Sequence, residues 1–255
     1  MNLVTSVKAE LIKTKRSASL WLSILGAGFI PLIFLLVYAI KPEKHYTEMH
    51  DIPWILHFAH GWQFFASFLL PMFVILICSQ IPQIEYKNNA WKQVFTTPQS
   101  TGSLFFSKYI TILLMILLLF LLYNVFMIAG AIIPNLILPK YTFLSRSIDW
   151  SLLLKLNFRF FISLLGIISI QYWLGLRFKN FIVPIGIGLA LLVTAMILSS
   201  WEHIDKMPYA FPFRTFMETR QPKSGFLSNH EWNSIGYFLL FTGVAFWDLR
   251  GNRSR

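Results

Sequence analysis

Residues 85–100 read EYKNNAWKQVFTTPQS, a short polar segment between two long uncharged runs, 52–84 before it and 109–139 after it. Each run is long enough for a membrane-spanning helix, which needs about 20 apolar residues. The segment between them is then a tight connection at one face of a bilayer. Read as a helix, it places Ile84, Trp91, Val94 and Phe95 on one side and Glu85, Asn89, Lys92 and Gln93 on the other. Pro98 disfavours helix at Thr97, so the element is expected to end there, with Thr101 or Ser103 capping the next span. A plain loop has no need of Trp and Phe in register, whereas a short amphipathic helix across two span ends does.

The rest of the chain agrees with a membrane solvent. Hydrophobic residues make up 56% and charged residues 13%, against about 25% charged in a soluble domain. Uncharged runs at 17–40, 52–84, 109–139, 160–176, 180–201 and 232–247 give six candidate spans. The first is too long for the apolar core of a cleaved signal peptide, about 7–15 residues, and reads as a retained span. The second and third exceed one crossing and are expected to tilt or bend. The expected fold is all-α and integral to the membrane, one six-span domain over residues 1–255. An interfacial helix at 1–16, a coupling segment at 83–103 and an extracytoplasmic loop at 202–231 complete it.

Six spans place both termini on one side. That side holds twelve of the 22 lysines and arginines and three of the 11 acidic residues, and the short connections carry the bias that marks a cytoplasmic face. Both termini and the 85–100 segment are therefore expected in the cytoplasm. The net charge of +11 belongs to these span flanks, and nucleic acid is not expected as a partner. Cys78 lies alone within an apolar run, so neither an intramolecular disulfide nor a cysteine metal site can form.

Within 1–16, Leu3, Val4, Val7 and Leu11 share one helical face, with Asn2, Ser6 and Lys13 opposite. Such a helix lies in the interface plane, with Lys13, Lys15 and Arg16 near anionic lipid headgroups. The first outer loop holds His45, Glu48, His50, Asp51, His57 and His60. No HExxH spacing appears there, so the expectation is an interfacial histidine pair beside Trp54 and Trp62, with no metal. Lys155 and Arg159 are four apart at the edge of the fourth span and are expected to snorkel outward. The aromatic, proline-broken stretch 207–220 reads as a short re-entrant or interfacial element. The spans hold essentially no acids, and no catalytic Ser-His-Asp arrangement is apparent.

Two segments carry a family resemblance. Glu10, Lys13, Lys15, Arg16 and Ser17 resemble the opening of the membrane subunits of type-2 ABC exporters, in particular the short permeases of lantibiotic and bacitracin immunity and export. Glu85, Trp91, Lys92, Pro98, Ser100 and Lys108 resemble that family's connection between spans two and three. Asn88, Asn89 and Ala90 stand where the family often has Gly-Thr. The resemblance implies a permease of a bacterial inner membrane that moves an amphipathic antimicrobial peptide or lipid-like compound outward. It implies a second permease copy or sister permease, and a cytoplasmic ABC ATPase subunit that binds ATP and Mg and receives the coupling helix. ATPase-coupling roles then fall to Glu85, Lys87, Trp91, Lys92, Val94, Phe95 and Pro98, and interfacial-helix roles to Leu3, Val7, Leu11, Lys13, Lys15 and Arg16. The chain has no Gly-Lys dipeptide, hence no G-x-x-x-x-G-K-[ST] phosphate loop, so nucleotide-driven work needs a separate chain. A histidine-using membrane enzyme and a non-transporting anchor or assembly subunit are the competing readings.

Overall fold

The computed structural model describes residues 2–15, 17–40, 51–87, 99–137, 141–219 and 225–253. Helix α1 (Leu3–Thr14) leads into α2 (Ala18–Ile40). Next come α3 (Pro53–Phe64), a π-helical turn (Phe65–Leu69) and α4 (Leu70–Lys87), which together form one long rod. Helix α5 (Thr101–Ile137) is the longest, and a 3-10 turn (Phe143–Ser145) connects it to α6 (Trp150–Arg177). Helix α7 (Ile182–Ile197), two 3-10 turns (Ile204–Lys206 and Pro208–Ala210), α8 (Phe211–Thr219) and α9 (Asn229–Arg253) follow. The described residues contain no strand.

Several boundaries have a local cause. Pro53 opens α3 at a position where its missing N–H costs nothing. Ser100 Oγ accepts from Ser103 N at 3.1 Å and starts α5, so the cap is Ser100 and not the expected Thr101 or Ser103. Asp149 Oδ1 accepts from Leu152 N at 3.0 Å and starts α6. At the start of α9 the Glu231 carboxylate reaches back to accept from Ser228 N at 2.7 Å, one half of a capping box.

Among the described residues, four helices are long and apolar enough to cross a membrane: Ala18–Ile40, Pro53–Lys87, Thr101–Ile137 and Trp150–Arg177. Helix α7 is apolar but has 16 residues, roughly 24 Å at about 1.5 Å per residue, short of a hydrocarbon core of about 30 Å. Helix α9 has 25 residues but does not meet the same apolar standard. The structure is thus an all-helical bundle with four clear candidate spans and, in α7 and α9, two further helices that do not reach that standard.

The most extensive pairings are α6 with α9 and α2 with α5, followed by α4 with α6. Small residues permit close backbone approach, as is common where lipid supplies no hydrophobic drive between helices. A Cβ on Gly130 of α5 would meet the Pro31 carbonyl of α2 at 3.1 Å, and one on Gly175 of α6 would meet the Cys78 carbonyl of α4 at 3.1 Å. Aromatic stacking fills the middle: Trp62 lies 4.2 Å from Phe160 and Phe65 4.0 Å from Tyr123, in each case with nearly parallel rings. Cys78 is buried and reduced, as a packed side chain.

Candidate functional site

Four charges from three helices converge at the end of the bundle where α4 stops and α5 starts. Lys108 Nζ of α5 lies 2.8 Å from Glu10 Oε2 of α1 and 2.8 Å from Glu85 Oε1 of α4. Lys13 Nζ of α1 lies 2.8 Å from Glu10 Oε1 and 2.7 Å from the same Glu85 oxygen. The result is a closed ring of alternating sign, Lys13–Glu10–Lys108–Glu85. The Lys108 side chain is fully buried, those of Glu10 and Glu85 nearly so, and that of Lys13 is 36% exposed.

Burial by itself lowers the affinity of the Lys13 amine for its proton. Hydrogen bonds and Coulombic attraction from Glu10, then Glu85, outweigh that cost and raise its pKa above the ordinary lysine value. For Lys108 desolvation is severe, and the two carboxylates are what make a buried ammonium tolerable. A buried pair holds its geometry because loss of one partner strands the others, at about 3–5 kcal/mol. The ring therefore clamps α1 across the ends of α4 and α5.

The arrangement explains which face of α1 packs. Ser6, Glu10 and Thr14 are its buried residues, whereas Leu3 and Val4 are exposed, and Val7 and Leu11 are intermediate. The polar edge packs on the protein, Leu3, Val4 and Ile12 look outward as suits a helix seated against lipid, and Leu11 is partly buried against the core. Lys15 ends α1 and is exposed; Arg16 lies outside the described residues.

Further bonds brace the same end. Gln83 Nε2 donates to the Phe178 carbonyl at 2.7 Å, and the Tyr86 hydroxyl donates to the Leu176 carbonyl at 2.7 Å. These satisfy carbonyls at the C-terminus of α6, which no intrahelical partner reaches. Arg177 of α6 pairs with Asp248 of α9 at 2.8 Å. The end of α4 is thus tied to α1, α5 and α6, and α6 to α9.

Of the residues expected to couple to an ATPase, Glu85 is in the ring and Lys87 is the exposed last residue of α4. Trp91, Lys92, Val94, Phe95 and Pro98 lie outside the described residues. Of the interfacial residues, Lys13 joins the ring. Sequence reasoning assigned no site role to Glu10 or Lys108. The available signal was a lone lysine at the mouth of a 31-residue uncharged run, which calls for buried acidic partners.

A second polar knot sits at the opposite end and corrects the reading of Arg159 as a snorkelling residue. Its Nε donates to Glu231 Oε1 at 2.8 Å and its Nη2 donates to Ser228 Oγ at 2.9 Å, both at the start of α9. Glu218 of α8 lies 3.7 Å from Arg159 Nη2, and Thr215 of α8 is 2.9 Å from His230 Nε2 of α9. This knot fastens α8 over the ends of α6 and α9. Lys155 instead lies over the Phe226 ring at 5.9 Å.

His57 is a core residue and not an interfacial one. It is fully buried, 2.7 Å from the Tyr38 hydroxyl through Nδ1 and 2.9 Å from the Met127 carbonyl through Nε2. A carbonyl can only accept, so Nε2 carries the proton and Nδ1 accepts from Tyr38. Both nitrogens are engaged within a cage of Phe34, Trp54, Phe58 and Phe143. His45, Glu48 and His50 lie outside the described residues. Among those described, no group of three or more His, Cys, Asp or Glu could hold a metal ion.

A bundle with several membrane crossings and a charge clamp where two long spans meet defines the chain as a multi-pass membrane protein. Residues 6–195 match the family described as ABC-2 family transporter protein, and the chain belongs to that family. It is therefore a membrane component of a transporter. No curated protein sequence matches it.

Proposed function

We propose that the chain is the permease subunit of an ATP-driven exporter and carries an amphipathic substrate, an antimicrobial peptide or a lipid-like compound, out of the cytoplasm or membrane. It works as a pair, with a second copy or a sister permease, and each permease docks on a cytoplasmic ABC ATPase that supplies ATP and Mg. Its setting is a bacterial inner membrane, with both termini in the cytoplasm. The likeness of the opening and of the segment between spans two and three to lantibiotic and bacitracin permeases supports this substrate class.

The observation that carries the reading is Lys108 held between Glu10 and Glu85. Glu85 lies two residues before the end of α4, and α5 begins at Thr101. Whatever force acts on the intervening chain passes into a helix end that is clamped to α1 and α5. Residues 85–97 then act as the coupling helix, with Trp91, Val94 and Phe95 as its apolar face and Lys87 and Lys92 at its polar rim. Pulling on a loosely attached loop would dissipate, whereas pulling on this end moves three helices together.

The test is co-purification of the ATPase with the parent, Trp91→Ala and Lys92→Ala, together with transport-dependent ATP hydrolysis. Trp91→Ala is expected to release or uncouple the ATPase, since buried aromatic anchors dominate interface energy and rim charges add little. Parent-like binding and coupling by Trp91→Ala would remove the coupling assignment.

A further inference from the structure

At the end opposite the charge ring, a cavity of about 280 Å³ lies between α3, α6 and α8. Trp54, Phe58, Trp62, Leu153, Leu156 and Phe216 form its walls. We propose that this groove holds one acyl chain of a bilayer phospholipid.

The lining decides the chemistry of the occupant. A retained water needs two to four polar partners, and these walls are almost wholly hydrocarbon. At the rim Asp149 Oδ1 accepts from Leu152 N at 3.0 Å and the Thr219 hydroxyl donates to the Phe216 carbonyl at 2.6 Å. Trp62 Nε1 in the wall is unpaired among the described residues, a single donor that cannot by itself hold a water. Among the described residues no lysine or arginine lines the groove, and Asp149 at its rim is acidic. An apolar chain is what the walls fit, and a headgroup is left at the rim.

Position supplies the chain. The groove is continuous with the surface that faces the bilayer: Ile55 of α3 and Leu152 of α6 both line it and are 48% and 45% exposed, and Leu154 beside them is 67% exposed. An empty groove would forfeit the dispersion contacts of its walls, and neighbouring acyl chains are the nearest matter that can restore them. The volume of about 280 Å³ lies at the lower end of the roughly 300–1,000 Å³ of pockets for drug-sized molecules, enough for a segment of one acyl chain with the rest left in the bilayer. Helix α8 roofs the groove through Phe216 and is itself fastened by the knot around Arg159. The proposal does not depend on what the protein exports.

The experiment uses the full-length protein in nanodiscs of phosphatidylcholine bearing a diazirine midway along one acyl chain. After illumination, adducts are mapped by mass spectrometry. Labelling of residues 54–59 and 152–156 is expected to exceed that of Leu121 and Leu239, which are 62% and 65% exposed, by about threefold or more because a held chain keeps its contacts. Ala59→Phe and, separately, Leu152→Trp fill the groove and are expected to abolish the excess. Unchanged labelling at Leu121 reports an intact fold in both variants. Equal labelling at all these positions, or an excess that survives both fillings, overturns the proposal. So does an Ile55→Cys disulfide between two copies that removes the labelling, which would show a second chain in the groove.

Discussion

The Lys108 ammonium lies 2.8 Å from the Glu10 carboxylate, a contact between residues 98 positions apart that joins the first helix to the start of the longest one. Lys108→Met keeps the approximate length and removes the charge, leaving Glu10 and Glu85 with Lys13 alone. The expected cost is about 3–5 kcal/mol, since two nearly buried carboxylates lose their buried partner. Lys13→Ala should cost much less, because that side chain is partly solvated. Adding Glu10→Gln and Glu85→Gln to Lys108→Met is expected to recover much of the loss. Thermal unfolding in detergent checks all three, and equal melting temperatures for Lys108→Met and Lys13→Ala would show that the ring is not a clamp.

At the opposite end, Arg159 holds α8 through a planar fork that meets both Glu231 and Ser228. Arg159→Gln is expected to speed amide exchange across Phe211–Thr219, with little change in α2 and α5. Arg159→Lys should fail to restore protection, because an ammonium cannot reproduce two parallel donors. Hydrogen–deuterium exchange read by mass spectrometry distinguishes these outcomes, and full protection in the lysine variant would reduce the knot to simple charge pairing.

His57 makes a different forecast from His60. His57→Ala removes two hydrogen bonds and opens a void in an aromatic cage, which places the loss at about 2–5 kcal/mol. His60 lies on the same helix but is only partly buried, and His60→Ala should change the melting temperature little. Metal content measured on purified parent and double variant is expected to be the same and substoichiometric. Stoichiometric metal lost in the double variant would reinstate the histidines as a centre.

Much of this architecture is legible in the sequence because lipid imposes a coarse and strict code. The uncharged run at 17–40 becomes α2 almost residue for residue, whereas α5 begins at Thr101, eight residues before the run at 109–139. The fifth and sixth runs are weaker: α7 is short, and α9 carries Asp248, Arg250 and Arg253 within its length. Periodicity showed that 1–16 is amphipathic but did not reveal that its polar edge is the one that packs. That outcome depends on Glu85 and Lys108, distant in sequence, offering better partners than solvent does. Arg159 was misread for the same reason, since its partners lie 69 and 72 residues away.

The side on which the termini lie has its own test. Reporter fusions at Arg255 and near Lys223 are expected to report opposite sides of the membrane, with the C-terminus cytoplasmic. A polypeptide with four crossings, or one in which α9 stays at the surface, would put both fusions on one side. The short α7 makes this measurement decisive, because its 16 residues cross only where the bilayer is thinned or flanking residues snorkel.

The last prediction joins the ring to the coupling segment. Glu85 and Trp91 are six residues apart, so the proposed coupling helix would make fewer than two turns between them. If the ring sets the angle at which this helix leaves α4, Trp91 can enter an ATPase cleft only while Glu85 is anchored. Trp91→Ala should then weaken ATPase binding by about 2 kcal/mol or more, roughly 30-fold. Glu85→Gln should weaken it by a smaller factor, through misplacement of the same tryptophan. The double variant should lose less than the sum of the two, with a coupling energy of about 0.5–3 kcal/mol. Affinities of purified ATPase for the four proteins in nanodiscs complete the cycle. Strict additivity would mean that the ring stabilises the bundle without positioning the segment, and the path of force from ATPase to spans would have to run elsewhere.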